Sequence, residues 1–160
     1  MFRIQKIAIL IINLFLSACI SNPPEEINSI YPKAWNTFTN QIAGYSLSYP
    51  IEFEVDESRD GKDVIFRFDS YPIIAVNYVD SAEGRTRGLW VKHEPVDNIK
   101  LDGISGKKYE YTHYDAIFGL EVQSWVVSHR GKFLGLEIRK TGELGTILKK
   151  VRNSFKIISF

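Results

Sequence analysis

At 160 residues, with 44% hydrophobic, 24% charged and 13% aromatic side chains, the chain has the composition of one folded domain and too much apolar content for disorder. Twenty Lys and Arg against 19 Asp and Glu leave a formal charge of +1, with no excess to hold a nucleic-acid backbone, so no nucleic-acid partner is expected. The single cysteine excludes an intramolecular disulfide and a zinc site built on cysteine pairs.

Residues 1–18 read as a leader. Arg3 and Lys6 give it a positive start, and Ile7 to Leu16 form an apolar run of about ten residues, short of the roughly 20 that span a bilayer but matched to a secretory signal. Leu16-Ser17-Ala18-Cys19 resembles a bacterial lipobox, and the chain's one cysteine stands at the position that would carry the lipid. The resemblance implies cleavage between Ala18 and Cys19, diacylation of Cys19, palmitate on its new N-terminus and a cell-envelope protein held to the membrane. Two or three acyl chains anchor firmly, since each buried CH₂ contributes about 0.8 kcal/mol. Loss of Arg3 and Lys6 would leave 18 basic against 19 acidic side chains, so anchoring would need no polybasic patch. Ile20 after the cysteine, in place of Asp, resembles the sorting signal for the outer membrane if the cell is Gram-negative.

Residues 19–34 are expected to be the lipidated cysteine and a tether. Pro23 and Pro24 favour an extended path there, at about 3.1 Å per residue. Ile27 to Thr39 supports no assignment, because Glu25 and Glu26 favour a helix start that Pro32 would break.

Residues 35–160 are expected to be a single α+β domain. Tyr45 to Tyr49 alternates cleanly and stops at Pro50; Phe53 to Val55, Val64 to Phe68, Ile73 to Val79, Leu89 to His93, Tyr109 to Tyr114, Glu121 to His129 and Phe133 to Arg139 follow as strands. Turn residues between them, including Asp69-Ser70, Asp102-Gly103 and Ser105-Gly106, favour hairpins, hence an antiparallel sheet of about six to eight strands. A tight turn at Arg130-Gly131 sets a register of His129 opposite Lys132, Val127 opposite Leu134 and Trp125 opposite Leu136. Trp125, Val127, Leu134, Leu136 and Ile138 then share a buried face, while Ser124, Ser128, Glu137 and Arg139 point to a more exposed one. Ile147, Leu148, Val151 and Phe155 recur at helical spacing and predict a covering helix over 143–155, with Lys149, Lys150 and Arg152 on its solvent side.

The Gly-Tyr-Ser-Leu-Ser-Tyr-Pro strand, the ladder of hairpins and a terminal helix ending Val151-Arg152-Asn153-Ser154-Phe155 together resemble the PsbP/Mog1-like superfamily over most of residues 35–160. The resemblance implies an antiparallel sheet sandwiched by helices and a non-catalytic role, as an assembly factor, accessory subunit or binding module. Asp80 to Gly88 is short and rich in Gly and Arg where relatives carry a helix, which implies a reduced cover on one side of the sheet.

Residues that could carry chemistry are few. His93-Glu94 and His113-Tyr114-Asp115 pair imidazole with carboxylate, and His129 ends a strand, but no spacing matches a metal-ligand motif, so no metal and no cofactor are expected. Gly103-Ile104-Ser105-Gly106 lacks the spacing of a nucleophile elbow, and the only thiol is Cys19. No enzyme is expected. Aromatic side chains suit contacts: Tyr109, Tyr111 and His113 alternate onto one face, and Tyr114, Ile117 and Phe118 gather at a hairpin tip, the expected partner contact. The expected function is a membrane-anchored accessory or assembly factor for another envelope protein. The alternative is a small-molecule or metal carrier using the sheet face, with a hydrolase third.

Overall fold

The computed structural model describes residues 32–80, 93–115 and 118–158, with Tyr114, Asp115, Phe118 and Glu143 described through their backbone. The described residues form ten strands: β1 (Trp35–Asn40), β2 (Tyr45–Pro50), β3 (Glu54–Glu57), β4 (Asp63–Phe68), β5 (Tyr71–Val79), β6 (Asp97–Leu101), β7 (Ile104–Asp115), β8 (Phe118–His129), β9 (Lys132–Arg139) and β10 (Lys156–Ile157). A 3₁₀ turn at Gly142–Leu144 leads into helix α1 (Gly145–Ser154).

Seven strands form one antiparallel sheet in the order β3-β4-β5-β9-β8-β7-β6. Two meanders, β3-β4-β5 and β6-β7-β8-β9, are thus joined side by side through β5 and β9. Three hairpins turn on two residues with positive φ: Asp69-Ser70, Asp102-Gly103 and Arg130-Gly131. Paired positive φ angles give a turn whose twist matches that of the flanking strands. The expected register of β8 on β9 is found, with His129 opposite Lys132 and Trp125 opposite Leu136.

Other boundaries differ from expectation for local reasons. Ser105-Gly106 is not a turn but part of β7. A Cβ on Gly106 would lie 2.2 Å from the Val126 carbonyl oxygen, so the glycine permits close approach of two strands. Tyr71 and Pro72 belong to β5, where Ile73 has no partner on β4 and forms a bulge. Pro72, which cannot donate to a ladder, lies beyond the last β5–β9 pair, Ile74 with Ile138. Leu89 to Lys92 lie outside the described residues, and His93 stands in a bend rather than a strand.

The cover of the sheet is also more than the expected helix. β1, β2 and β10 make a separate three-stranded sheet, so Tyr45–Pro50 does not belong to the large one. Phe38 meets the Phe66 ring edge-on at 5.7 Å, and Tyr49 lies 5.0 Å from it. Beside this small sheet, α1 buries Ile147, Leu148 and Val151, as its spacing predicts. Phe155, just past the helix, stacks on Tyr45 at 5.3 Å, and the Ser48 amide donates to Ser154 Oγ at 2.8 Å. The expected inward set of Trp125, Val127, Leu134, Leu136 and Ile138 is buried under this layer. Each such side chain contributes roughly 1.5–3 kcal/mol on burial. No helix among the described residues is long and apolar enough to cross a membrane.

Candidate functional site

Strand alternation sends a second set of side chains to the opposite face of the seven-stranded sheet. The register aligns Asp63 with Asn77, Ile65 with Ala75, Ala75 with Glu137, Glu137 with Ser124, and Ser124 with Tyr109. Glu137 and Ser124 do take the face opposite Trp125, as the register predicts. They do not face open solvent: Ser124 is 0% exposed, Asn77 4%, Glu137 7% and Tyr111 8%.

Buried polar groups need partners, because an unpaired one costs its desolvation. Here Asn77 Nδ2 donates to Glu137 Oε1 at 3.2 Å, and the Tyr111 hydroxyl lies 3.0 Å from Ser124 Oγ. Burial pushes the Tyr111 phenol well above its usual range; the Glu137 charge and a hydrogen bond to that carboxylate push it further, against the pull of Ser124 and Arg139. A chain of hydrogen bonds therefore crosses β5, β9, β8 and β7 at the centre of this face. Val122 and Val126 are buried beside it, with Val79, Tyr109 and Phe133 packed against them. His93 stacks on the Tyr111 ring, centroids 4.5 Å apart and planes 3° from parallel. Burial, then the charge of Glu94, raises the Tyr109 phenol.

Beside this cluster a groove of about 380 Å³ runs over β3, β4, β5 and β9, with Asp56, Asp63, Arg67, Asn77, Glu137 and Arg139 in its wall and floor. Arg67 lies 3.5 Å from the Asp56 carboxylate. The volume falls within the range of small-ligand sites, roughly 300–1,000 Å³. A wall and floor that present a carboxylate, an amide and two guanidinium groups can recognise a polar molecule by charge and hydrogen bonds.

The residues singled out from the sequence fall in three places. Ala18, Cys19 and Ile117 lie outside the described residues. Asp115 pairs with Phe118, so Tyr114 and Phe118 stand at the tip end of the β7–β8 ladder. That tip closes two strands at one side of the sheet, while the groove lies over β3–β5 and β9. Tyr109 and Tyr111 do share a face, and it is the face of the polar chain, though Tyr111 is a buried member of it. The three histidines do not converge: His93 covers Tyr111, His113 pairs with Leu120, and His129 is buried at the end of β8. Among the described residues no group of three or more His, Cys, Asp or Glu is placed to hold a metal ion.

Sequence reasoning missed Asn77, Glu137 and the two arginines. The usable signal was Asn77 itself, a lone amide inside the apolar run Ile73-Ile74-Ala75-Val76-Asn77-Tyr78-Val79. A polar group there needs a buried partner across the ladder, and Glu137 is the acid one strand away.

No protein-family model and no curated protein sequence matches the chain. Solved structures do. The solution structure of cyanobacterial PsbP (CyanoP) from Synechocystis sp. PCC 6803 is similar with a TM-score of 0.52 at 14% identity, over 85% of this chain and 99% of that one. A crystal structure at 1.50 Å of a protein from Bacteroides thetaiotaomicron VPI-5482 has a TM-score of 0.53 at 10% identity, over 77% of this chain and 48% of that one. At these identities the likeness is one of fold: antiparallel sheets with one C-terminal helix among the described residues, an α+β chain with the PsbP-like fold.

Proposed function

We propose that this protein is a lipid-anchored accessory factor of the cell envelope, tethered through Cys19, that binds another envelope protein without catalysing a reaction. The observation that carries the binding half is the second face of the seven-stranded sheet, with its buried polar chain and the groove beside it. One face lies under the small sheet and α1. The other presents aromatic side chains, a satisfied buried polar chain and a groove, a combination suited to recognition. The anchoring half rests on the lipobox-like Leu16-Ser17-Ala18-Cys19. The non-catalytic reading is supported by the polar chain's composition, an amide, a carboxylate, a phenol and a hydroxyl held in hydrogen bonds to one another.

Two experiments test the two halves. Cys19→Ala should move the protein from the membrane pellet to the soluble fraction; retention in the pellet would overturn the anchor. A photoreactive residue at Tyr109, and separately at Phe118, should capture one dominant envelope protein in intact cells. Capture from Tyr109 alone assigns the contact to the sheet face, and capture from Phe118 alone assigns it to the hairpin tip. Lipid alone at Phe118 recasts the tip as a membrane contact, and no capture at either position overturns the accessory role.

A further inference from the structure

The chain enters the described domain at one corner. The Ile51 amide donates to the Ala34 carbonyl at 3.1 Å, and the Lys33 amide donates to Glu52 Oε1 at 2.9 Å, so residues 33 and 34 are held beside the turn that leaves β2. Phe53 is buried there against Phe68, ring centroids 5.5 Å apart, and Phe68 pairs with Tyr71 across the β4–β5 hairpin. Ile51, just before this ring pair, is 52% exposed, and Tyr71, just beyond it, 68%. Trp35, which pairs with Pro50 at the same edge, is half-buried, and Lys150 Nζ lies 4.0 Å from its ring centroid. Single apolar residues on a surface are ordinary. The other large ones exposed among the described residues stand apart from this corner: Ile42 lies over Gly61 at the opposite end of the β1–β2 hairpin, and Val96 leads into β6. Ile51 and Tyr71 differ in standing where the segment that follows Cys19 joins the domain.

We infer that this corner rests on the bilayer that holds Cys19, with Ile51 and Tyr71 in the interfacial layer. The inference rests on the Cys19 anchor and adds to it a second contact, one that orients the domain. The chain between Cys19 and Pro32 spans at most about 45 Å even when fully extended, and it reaches the domain at this corner. Two side chains would not hold a free domain to a membrane, but an anchored one meets the surface at a high effective concentration, where a weak contact suffices. Tyrosine and tryptophan suit the interfacial layer because each has an apolar ring and a polar edge. Glu52 and Asp69 offset Lys33 and Lys150 there, so apolar side chains make the contact without help from attraction to anionic headgroups. The second face of the large sheet stays available to a protein partner.

Lipid-borne quenching of the full-length lipidated protein tests it. Once Cys19 carries lipid it has no free thiol, so a cysteine introduced by Ile51→Cys, Tyr71→Cys or Ile42→Cys takes a nitrobenzoxadiazole label alone. All three positions are exposed, where substitution disturbs folding least. Each labelled protein is reconstituted into vesicles of phosphatidylethanolamine and phosphatidylglycerol containing a phospholipid with a nitroxide high on its acyl chain. Quenching at 51 and at 71 should exceed that at 42 by at least about threefold, because the label at 42 stands at the far end of the β1–β2 hairpin. Tyr71→Asp should lower the quenching at 51 by about twofold or more, since a carboxylate is expelled from the layer. Unchanged quenching at 51 in that variant would mean that the label inserts by itself, and would overturn the contact. Flotation with the vesicles reports the anchor separately. Protein that floats but is quenched equally at all three positions, or at none, overturns the contact and leaves the anchor standing; protein that does not float overturns both.

Discussion

Replacing Glu137 with alanine removes the acceptor at the centre of the second face. Asn77 Nδ2 then loses its partner at 3.2 Å, and the Tyr111 hydroxyl keeps only Ser124 at 3.0 Å. Each buried donor left unsatisfied costs about 1–3 kcal/mol. The groove admits water to the vacated space, which holds the sum to the low end, about 2–3 kcal/mol. Glu137→Gln keeps an amide oxygen for Asn77 and should cost about 1 kcal/mol. The decisive quantity is the coupling between Asn77→Ala and Glu137→Ala. A hydrogen bond to a charged acceptor predicts an interaction of about 1.5–3 kcal/mol, well above the few tenths seen for independent sites. Urea denaturation of the wild type, both single variants and the double variant gives it directly. A coupling below about 0.5 kcal/mol would mean that Glu137 is buried by its neighbours without being held by them, and the reading of this face as a built polar site would fall.

Three further predictions concern the scaffold. Phe155→Ala removes a fully buried ring stacked on Tyr45 at the junction of α1 and the small sheet; it should cost about 3–5 kcal/mol in the same denaturation assay. Gly106→Ala sets a Cβ 2.2 Å from the Val126 carbonyl, so β7 must move from β8; a loss of about 1–3 kcal/mol is expected, with faster amide exchange in β6 and β7. His129 is held below its ordinary value of 6.5 by burial first and then by the Arg130 charge. Because the folded pKa is the lower one, the unfolded chain takes up the proton first. The stability His129 contributes is therefore complete above about pH 6.5 and lost as the pH falls through the folded value. Urea midpoints at pH 7.5 and 5.5 should show that decline, and His129→Gln should flatten it; an equal decline in the variant would assign it to other groups.

The parts of the fold that were legible in the sequence are those where two local signals coincide. Arg130-Gly131 supplies positive φ at both turn positions, and the flanking apolar residues alternate on both sides, so the turn and the pattern fix one register between them. The helix was legible because Ile147, Leu148 and Val151 lie on one stripe. β1 was not legible, since Trp35-Asn36-Thr37-Phe38-Thr39-Asn40 buries only Asn40 fully and is fixed by pairing with β2. The amide of Asn40 donates to the Gly61 carbonyl at 2.7 Å and accepts from the Ala43 amide at 2.8 Å, bonds that no local pattern announces. β6 was missed for a related reason: Asp97-Asn98-Ile99-Lys100-Leu101 is an edge strand whose polar residues face water, so it carries little hydrophobic period.

The candidate site was hidden by a different inference. Alternation correctly separates Glu137 and Ser124 from Trp125 and Leu136, but it gives a side, and the burial of a side depends on what lies one and two strands away. For Glu137 those neighbours are Ala75 and Asn77 on β5 and Ser124 and Tyr111 on β8 and β7, brought together by the pairing of two meanders distant in sequence. A carboxylate among an amide, a hydroxyl and a phenol can be buried in hydrogen bonds; the same carboxylate among valines would have to face water or carry a proton. Two buried polar residues on neighbouring strands thus become informative as a pair. Asn77 and Glu137 lie 60 positions apart, and each explains why the other is tolerated inside.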